Sequence, residues 1–202
     1  MTTTEHRTGN GDTLLTTDAR PRYRSALEWV AGLVDRVRPA QLHDPTPCTE
    51  FDVEGLLRHI VATVDKIRVI GTGGSPFTMP FQVPSAPDYP AALAEARERM
   101  WAVWSDDALL DREMTVPWGT VPGRGALWGY VNEILVHGWD LAVATGQPSE
   151  ADAGVAGEML AVARRLIPDE GRGGDYPFAP AVQPEPGAGP TERLANWSGR
   201  RR

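Results

Sequence analysis

Val131-Asn132-Glu133-Ile134-Leu135-Val136-His137-Gly138-Trp139-Asp140 is the stretch on which the fold turns. Residues four apart on an α-helix stack on one face, so Glu133 and His137 can aim at one spot. His59 lies far upstream in a second helical run. A histidine from a facing helix would close a set of two histidines and one carboxylate, which suits a divalent transition metal with positions left open for water or substrate.

A helical wheel at about 100° per residue sharpens this reading. The apolar face of the helix holding His59 centres on Val53, Leu57 and Val64, and His59 falls on its border beside Leu56, Thr63 and Ile70. In the later helix the apolar face centres on Leu127, Val131, Ile134 and Leu141, with Glu133, His137 and Asp140 along one border. Helical bundles build metal sites at such borders, between facing helices. Plainer readings fit the same residues. Glu133 and His137 also make an ordinary i,i+4 pair, and a lone histidine such as His59 is more often packed than ligating. Asp140 could ligate, face solvent, or hold a ligand imidazole through its ring N–H, and the last role is the one adopted. Spacing alone leaves metal site and simple pair in balance.

Outward from this stretch, apolar periodicity predicts five helices: Tyr23–Val37, a second from near Thr49 and Asp52 to Gly71, Ala91–Ser105, Ala126–Thr145 and Ser149–Leu166. Thr49 and Asp52 read as a capping-box start. Pro- and Gly-rich loops follow, notably 73–90 and the chain beyond Pro168, apart from a short helical segment at 192–197. Residues 116–123 read as a short strand or hairpin ahead of the fourth helix. The expected fold is all-α: a four-helix bundle with an additional helix and long loops, in a single domain over residues 19–200 behind a flexible tail, 1–18. Trp128, Leu135 and Trp139 form a second apolar edge on the fourth helix, expected to meet a neighbouring helix or a partner subunit, which leaves room for a homodimer.

Composition excludes several classes. With 202 residues the chain holds one ordinary core. A net charge of −7 gives no field that attracts nucleic acid, and Arg200, Arg201 and Arg202 read as a local tail. No apolar run is long enough to span a membrane, and the first residues lack the apolar core of a signal peptide. A single cysteine, Cys48, excludes an internal disulfide, so a cytoplasmic setting is expected. Cys48 is expected to pack beneath the bundle. His43 and His6 read as bystanders.

Three stretches carry a resemblance: Pro45-Thr46-Pro47-Cys48-Thr49-Glu50-Phe51-Asp52-Val53 with His59, Val116-Pro117-Trp118-Gly119-Thr120-Val121-Pro122-Gly123, and Asn132 to Gln147. Together with Phe178–Val182 and Arg193–Arg200, they resemble the DinB-like metal-binding superfamily, in the branch related to the N-terminal domain of mycothiol-dependent maleylpyruvate isomerase. The resemblance covers roughly residues 20–200. It implies a four-helix bundle in which His59, Glu133 and His137 bind a divalent ion, commonly zinc, with Ni2+ or another transition metal as alternatives. It also implies mycothiol or a related thiol as cosubstrate. The isomerases of that branch carry a second, C-terminal domain, and too little chain follows the fifth helix to build one, so maleylpyruvate isomerisation itself is not expected. The expected activity is transfer of a low-molecular-weight thiol to an electrophilic small molecule, or thiol-dependent isomerisation of one, with loops 71–90 and 113–124 as pocket walls. A non-catalytic metal-binding stress or interaction module stands second, closed by Asp140 or Cys48 as a fourth ligand. Metal-assisted hydrolysis stands third.

Overall fold

A computed structural model describes residues 10–170, 172 and 178–202. In chain order the helices are α1 (Asn10–Leu15), α2 (Arg20–Val34), α3 (Val53–Gly71), α4 (Tyr89–Trp104), α5 (Gly123–Thr145), α6 (Ala153–Leu166) and α7 (Pro190–Trp197). Strands β1 (Glu113–Val116) and β2 (Gly119–Pro122) form an antiparallel hairpin immediately before α5, with Thr115 opposite Thr120. Helices α2 to α5 are the bundle: α3 packs on α4 and α5, and α2 on α5 and α4. The core lies between them, built from Leu27, Val30 and Leu33 of α2, Leu56, Ile60 and Ile67 of α3, Met100 and Trp104 of α4, and Leu127, Val131 and Ile134 of α5.

Local chemistry sets the helix ends. The Asp52, Asp88 and Asp152 side chains accept from the N–H groups of Gly55, Ala91 and Val155, which satisfies donors that α3, α4 and α6 leave free in their first turns. Asp52 is thus the cap of α3 by itself, in place of the expected box with Thr49. The same device starts α6 at Ala153, four residues later than the periodicity predicts. Helix α5 stops at Gly146, whose φ of +69° is left-handed and suits glycine.

Periodicity alone assigns α5 one buried face with polar borders. The structure buries it on nearly every side, because α2, α3, α6 and α7 all pack on it. Trp128, Leu135 and Trp139, the edge considered for a partner subunit, are covered within the chain itself. The Trp128 indole N–H donates to the Leu14 carbonyl of α1 at 2.9 Å. Part of the segment expected to fray is therefore a short helix docked on α5 and α6, held also by Arg165 and Asp12 at 2.6 Å. Residues 1–9, including His6, lie outside the described residues.

Helices α2 and α5 approach closely at Gly138. A Cβ there would sit 2.3 Å from Cζ3 of Trp29 and 2.7 Å from Cγ2 of the buried Val30. In an open helix Gly→Ala stabilises by up to ~1 kcal/mol, whereas forcing a methyl into a packed contact costs ~1–3 kcal/mol. The steric cost exceeds the propensity gain, so Gly138→Ala is expected to destabilise the protein by ~1–2 kcal/mol. Thermal denaturation against wild type checks this, and an unchanged or raised Tm would show that the interface opens freely.

Candidate metal centre

The bundle brings His59, Glu133 and His137 together, with one ligand atom from each lying within 4.8 Å of the others. Glu133 Oε2 is 3.4 Å from Nε2 of His137 and 3.9 Å from Nε2 of His59. The imidazoles meet edge to face, 4.8 Å between centroids. Phe51 stacks on His59 at 4.9 Å, so the loop ahead of α3 packs one wall of the site. Both histidines are buried, but the Glu133 side chain is 34% exposed, which leaves the carboxylate side of the triad reachable from solvent.

Each imidazole is fixed through its other nitrogen. His59 Nδ1 lies 2.8 Å from the Phe81 carbonyl oxygen, which can only accept. His59 therefore donates from Nδ1 and turns Nε2 toward Glu133, with the Thr63 hydroxyl 3.4 Å from that nitrogen. His137 Nδ1 lies 3.1 Å from Oδ2 of Asp140, a wholly buried carboxylate. The two nitrogens of an imidazole face opposite ways, so Asp140 meets His137 on the side turned from Glu133. That contact fixes the ring of His137 from its Nδ1 side.

The residue that holds Asp140 was not foreseen. Arg200 Nε lies 3.0 and 3.2 Å from the two Asp140 oxygens, because α7 packs on α5 and α6 and delivers the chain end to this spot. Arg200 is no loose tail. A fully buried carboxylate beside His137 requires a cation, and that requirement was the available signal. The Phe81 carbonyl was missed for another reason: a backbone acceptor from a loop leaves no mark in side-chain pattern.

Charge follows the geometry. Burial would raise the Glu133 pKa, but hydrogen bonding to His137 and His59 outweighs it and holds the carboxyl well below its ordinary range. For His137, burial works against the cation, yet the contacts with Asp140 and Glu133 prevail and push the imidazole up to about 9. Cys48 is buried, and that burial raises its thiol pKa. It groups with His137 and Asp140, away from His59 and Glu133. His43 is exposed, 3.5 Å from Asp52. Loop 71–90 supplies Phe81, and the hairpin places Trp118 5.7 Å from Tyr130, one turn before Glu133 on α5. A shallow cleft of about 400 Å³ opens beside Phe51, lined otherwise by residues such as His43, Thr49 and Glu50.

Among the described residues no helix is long and apolar enough to cross a membrane. Two uncharacterized proteins, from two strains of Mycobacterium tuberculosis, are each 32% identical to this chain over 186 residues, covering 88% of it and 95% of their own length. Among solved structures, the mycothiol-dependent maleylpyruvate isomerase aligns with a TM-score of 0.49 at 18% identity. A histidine-to-alanine mutant of that isomerase aligns at 0.50 and 16%, a likeness of fold. In both, 75% of this chain is covered and it spans 66% of the isomerase chain. The family described as "Mycothiol maleylpyruvate isomerase N-terminal domain" matches residues 23–142, the stretch that contains α3, most of α5 and all three residues of the triad. On that match, and on the identity shared along nearly the whole of its relatives, this chain belongs to the mycothiol maleylpyruvate isomerase N-terminal domain family.

Proposed function

We propose that His59, Glu133 and His137 hold a divalent metal ion, zinc first among candidates, and that the protein uses it with a low-molecular-weight thiol such as mycothiol to act on an electrophilic small molecule. The observation that carries this reading is the triad itself, with both imidazoles pinned at Nδ1 and both Nε2 atoms turned toward one carboxylate. The donor set fits the ion: two neutral nitrogens and one oxygen are ordinary zinc ligands. When bound, such an ion lowers the pKa of a thiol or water at its open position.

The chain's own residues do the rest. The Phe81 carbonyl and the Asp140–Arg200 pair keep each ring from turning, so the lone pairs need no reorganisation. Phe51 shields one wall from water, and the exposed side of Glu133 leaves a way in. Catalysis is favoured over a closed structural site because Asp140 and Cys48, the candidates for a fourth ligand, lie on the far side of His137 or group with it there. The working unit is taken as one domain, residues 19–200. Family relationship adds mycothiol to the reading, since it names the proteins whose fold this chain shares. A cytoplasmic location accords with a reduced thiol as reactant.

The pKa of His137 provides a test. In chelator-treated protein the group's folded pKa, about 9, exceeds its ordinary 6.5. The stability it contributes is therefore fully present below about pH 6.5 and is lost as pH rises through about 9. A cation that takes the place between His137 and Glu133 must displace that proton. Zinc affinity should consequently rise by about tenfold per pH unit between pH ~6.5 and ~8.5, with release of about one proton per ion. Titration calorimetry in buffers of different ionisation enthalpy measures both. Affinity independent of pH, with no proton released, would place the ion elsewhere.

A further inference from the structure

Lys66 is the only lysine in the chain, and it is buried on α3 with no carboxylate within ion-pair distance among the described residues. What it meets instead is the ring of Phe81, whose centroid lies 4.8 Å from the ammonium nitrogen. That ring is 73% exposed, so burial of apolar surface does little to keep it in place. The attraction of a desolvated ammonium for the ring face does more. Phe81 thereby spans about two turns of α3: its carbonyl oxygen accepts from His59, and its ring covers Lys66, seven residues further on.

The chain beyond Phe81 is tied to α3 as well. Val83 bonds Arg58 twice: its carbonyl accepts from Nε of Arg58 at 2.7 Å, and its N–H donates to the Arg58 carbonyl at 3.3 Å. The Ser85 and Tyr89 hydroxyls both donate to Oε1 of Glu54, at 2.8 and 2.9 Å. Residues 81–89 therefore run along α3 toward its N-terminus, meeting Lys66, His59, Arg58 and Glu54 in turn. None of residues 81–88 is fully buried, so these polar contacts carry much of the attachment. The peptide that bears the Phe81 carbonyl lies between two of them, the Phe81 ring on Lys66 and Val83 on Arg58.

We propose that Lys66 and Arg58 are positioning residues for the metal centre: together they fix the Phe81 peptide, and through it the rotation of the His59 ring. The inference rests on the metal reading above and extends it to two side chains that are not ligands. The carbonyl to which Nδ1 donates sets the angle of the imidazole, and with it the aim of Nε2 toward Glu133. A carbonyl on a half-exposed loop is free to turn to water unless its peptide is held. Lys66 holds that peptide through the ring on one side, and Arg58 holds it through Val83 on the other. A group that orients a ligand imidazole is worth ~10–100-fold in metal affinity, and one acting a step further out takes the lower end of that range.

The experiment follows the His59 Nδ1–H proton by NMR in chelator-treated protein, and then zinc affinity by competition with a chromophoric chelator. Wild type is compared with Lys66→Met, Arg58→Met, Lys66→Arg and Phe81→Leu. The His137 Nδ1–H, held by Asp140, serves as internal reference. In wild type both protons should exchange slowly with water. Lys66→Met, Arg58→Met and Phe81→Leu should speed exchange at His59 alone by about tenfold, the worth of one cation–π contact or charge-assisted hydrogen bond, and weaken zinc binding by a similar factor. Lys66→Arg keeps a cation over the ring and should behave as wild type. Joining Lys66→Met to Phe81→Leu should add little to either alone, since both remove the same contact. Unchanged His59 exchange in Lys66→Met and Phe81→Leu, or equal loss of protection at His59 and His137, would overturn the inference and leave the metal reading standing. Should Lys66→Met fail to fold, Phe81→Leu decides the matter, because that side chain is exposed and its loss leaves the core intact. Wild type that binds no zinc would remove the metal reading and this inference with it.

Discussion

Replacing His137 by alanine is expected to weaken zinc binding by at least about 100-fold, since losing even a residue that only orients a ligand costs ~10–100-fold. The same outcome is expected for His59→Ala and Glu133→Gln. Glu133→Gln is the most telling of these, because it keeps the volume and removes only the charge. In each variant the fold should persist. The buried apolar side chains of α2 to α5 carry the packing, and none of these three side chains caps or joins helix ends. His137→Ala also leaves Asp140 without its imidazole, but Arg200 remains to answer the carboxylate. Equilibrium dialysis with metal analysis, alongside far-ultraviolet circular dichroism, measures both sides. Unchanged zinc content in all three variants would mean that the triad is a hydrogen-bonded cluster and nothing more.

Arg200→Met has the largest expected effect on stability. Asp140 is completely buried and has two charged partners, His137 and Arg200. Removing one partner of a buried pair costs ~3–5 kcal/mol, because the remaining charge has lost its compensation. His137 stays, protonated below about pH 9, so the lower end of that range is expected, ~3 kcal/mol. Urea denaturation reads the value. A double variant, Arg200→Met with Asp140→Leu, should recover much of the loss, since an apolar pair of similar volume removes the buried charge altogether. A loss below ~0.5 kcal/mol, the level of a surface pair, would show that Arg200 is solvated and does not secure Asp140.

The difference between these two cases shows what was readable in the chain. Glu133 and His137 announce themselves by helical spacing, and His59 by its place at the border of another apolar face. Helix packing then needs only to bring α3 and α5 together, which their apolar stripes dictate. Asp140 was legible to the same degree, as a carboxylate one turn from a candidate ligand. Arg200 and the Phe81 carbonyl were not, because each reaches the site through a long connection whose path is set by tertiary packing. Lys66 was visible only as an oddity of composition. Its burial follows from the turn of loop 71–90 over α3, and that loop has no periodicity to read. The boundaries of α3 and α5 followed their sequence signals, Asp52 at one end and Gly146 at the other. Helix α1 was missed because six polar and apolar residues make too little pattern, and its order comes from docking on α5 and α6.

The central claim is that the triad holds a metal with room for a thiol. Titration of mycothiol into zinc-loaded wild type, beside the same protein stripped by a chelator, tests it most directly. The expected result is saturable binding of one mycothiol per chain that requires the zinc and disappears in His137→Ala. Mycothiol binding that is equal with and without zinc, or absent from protein holding a full complement of zinc, would contradict it.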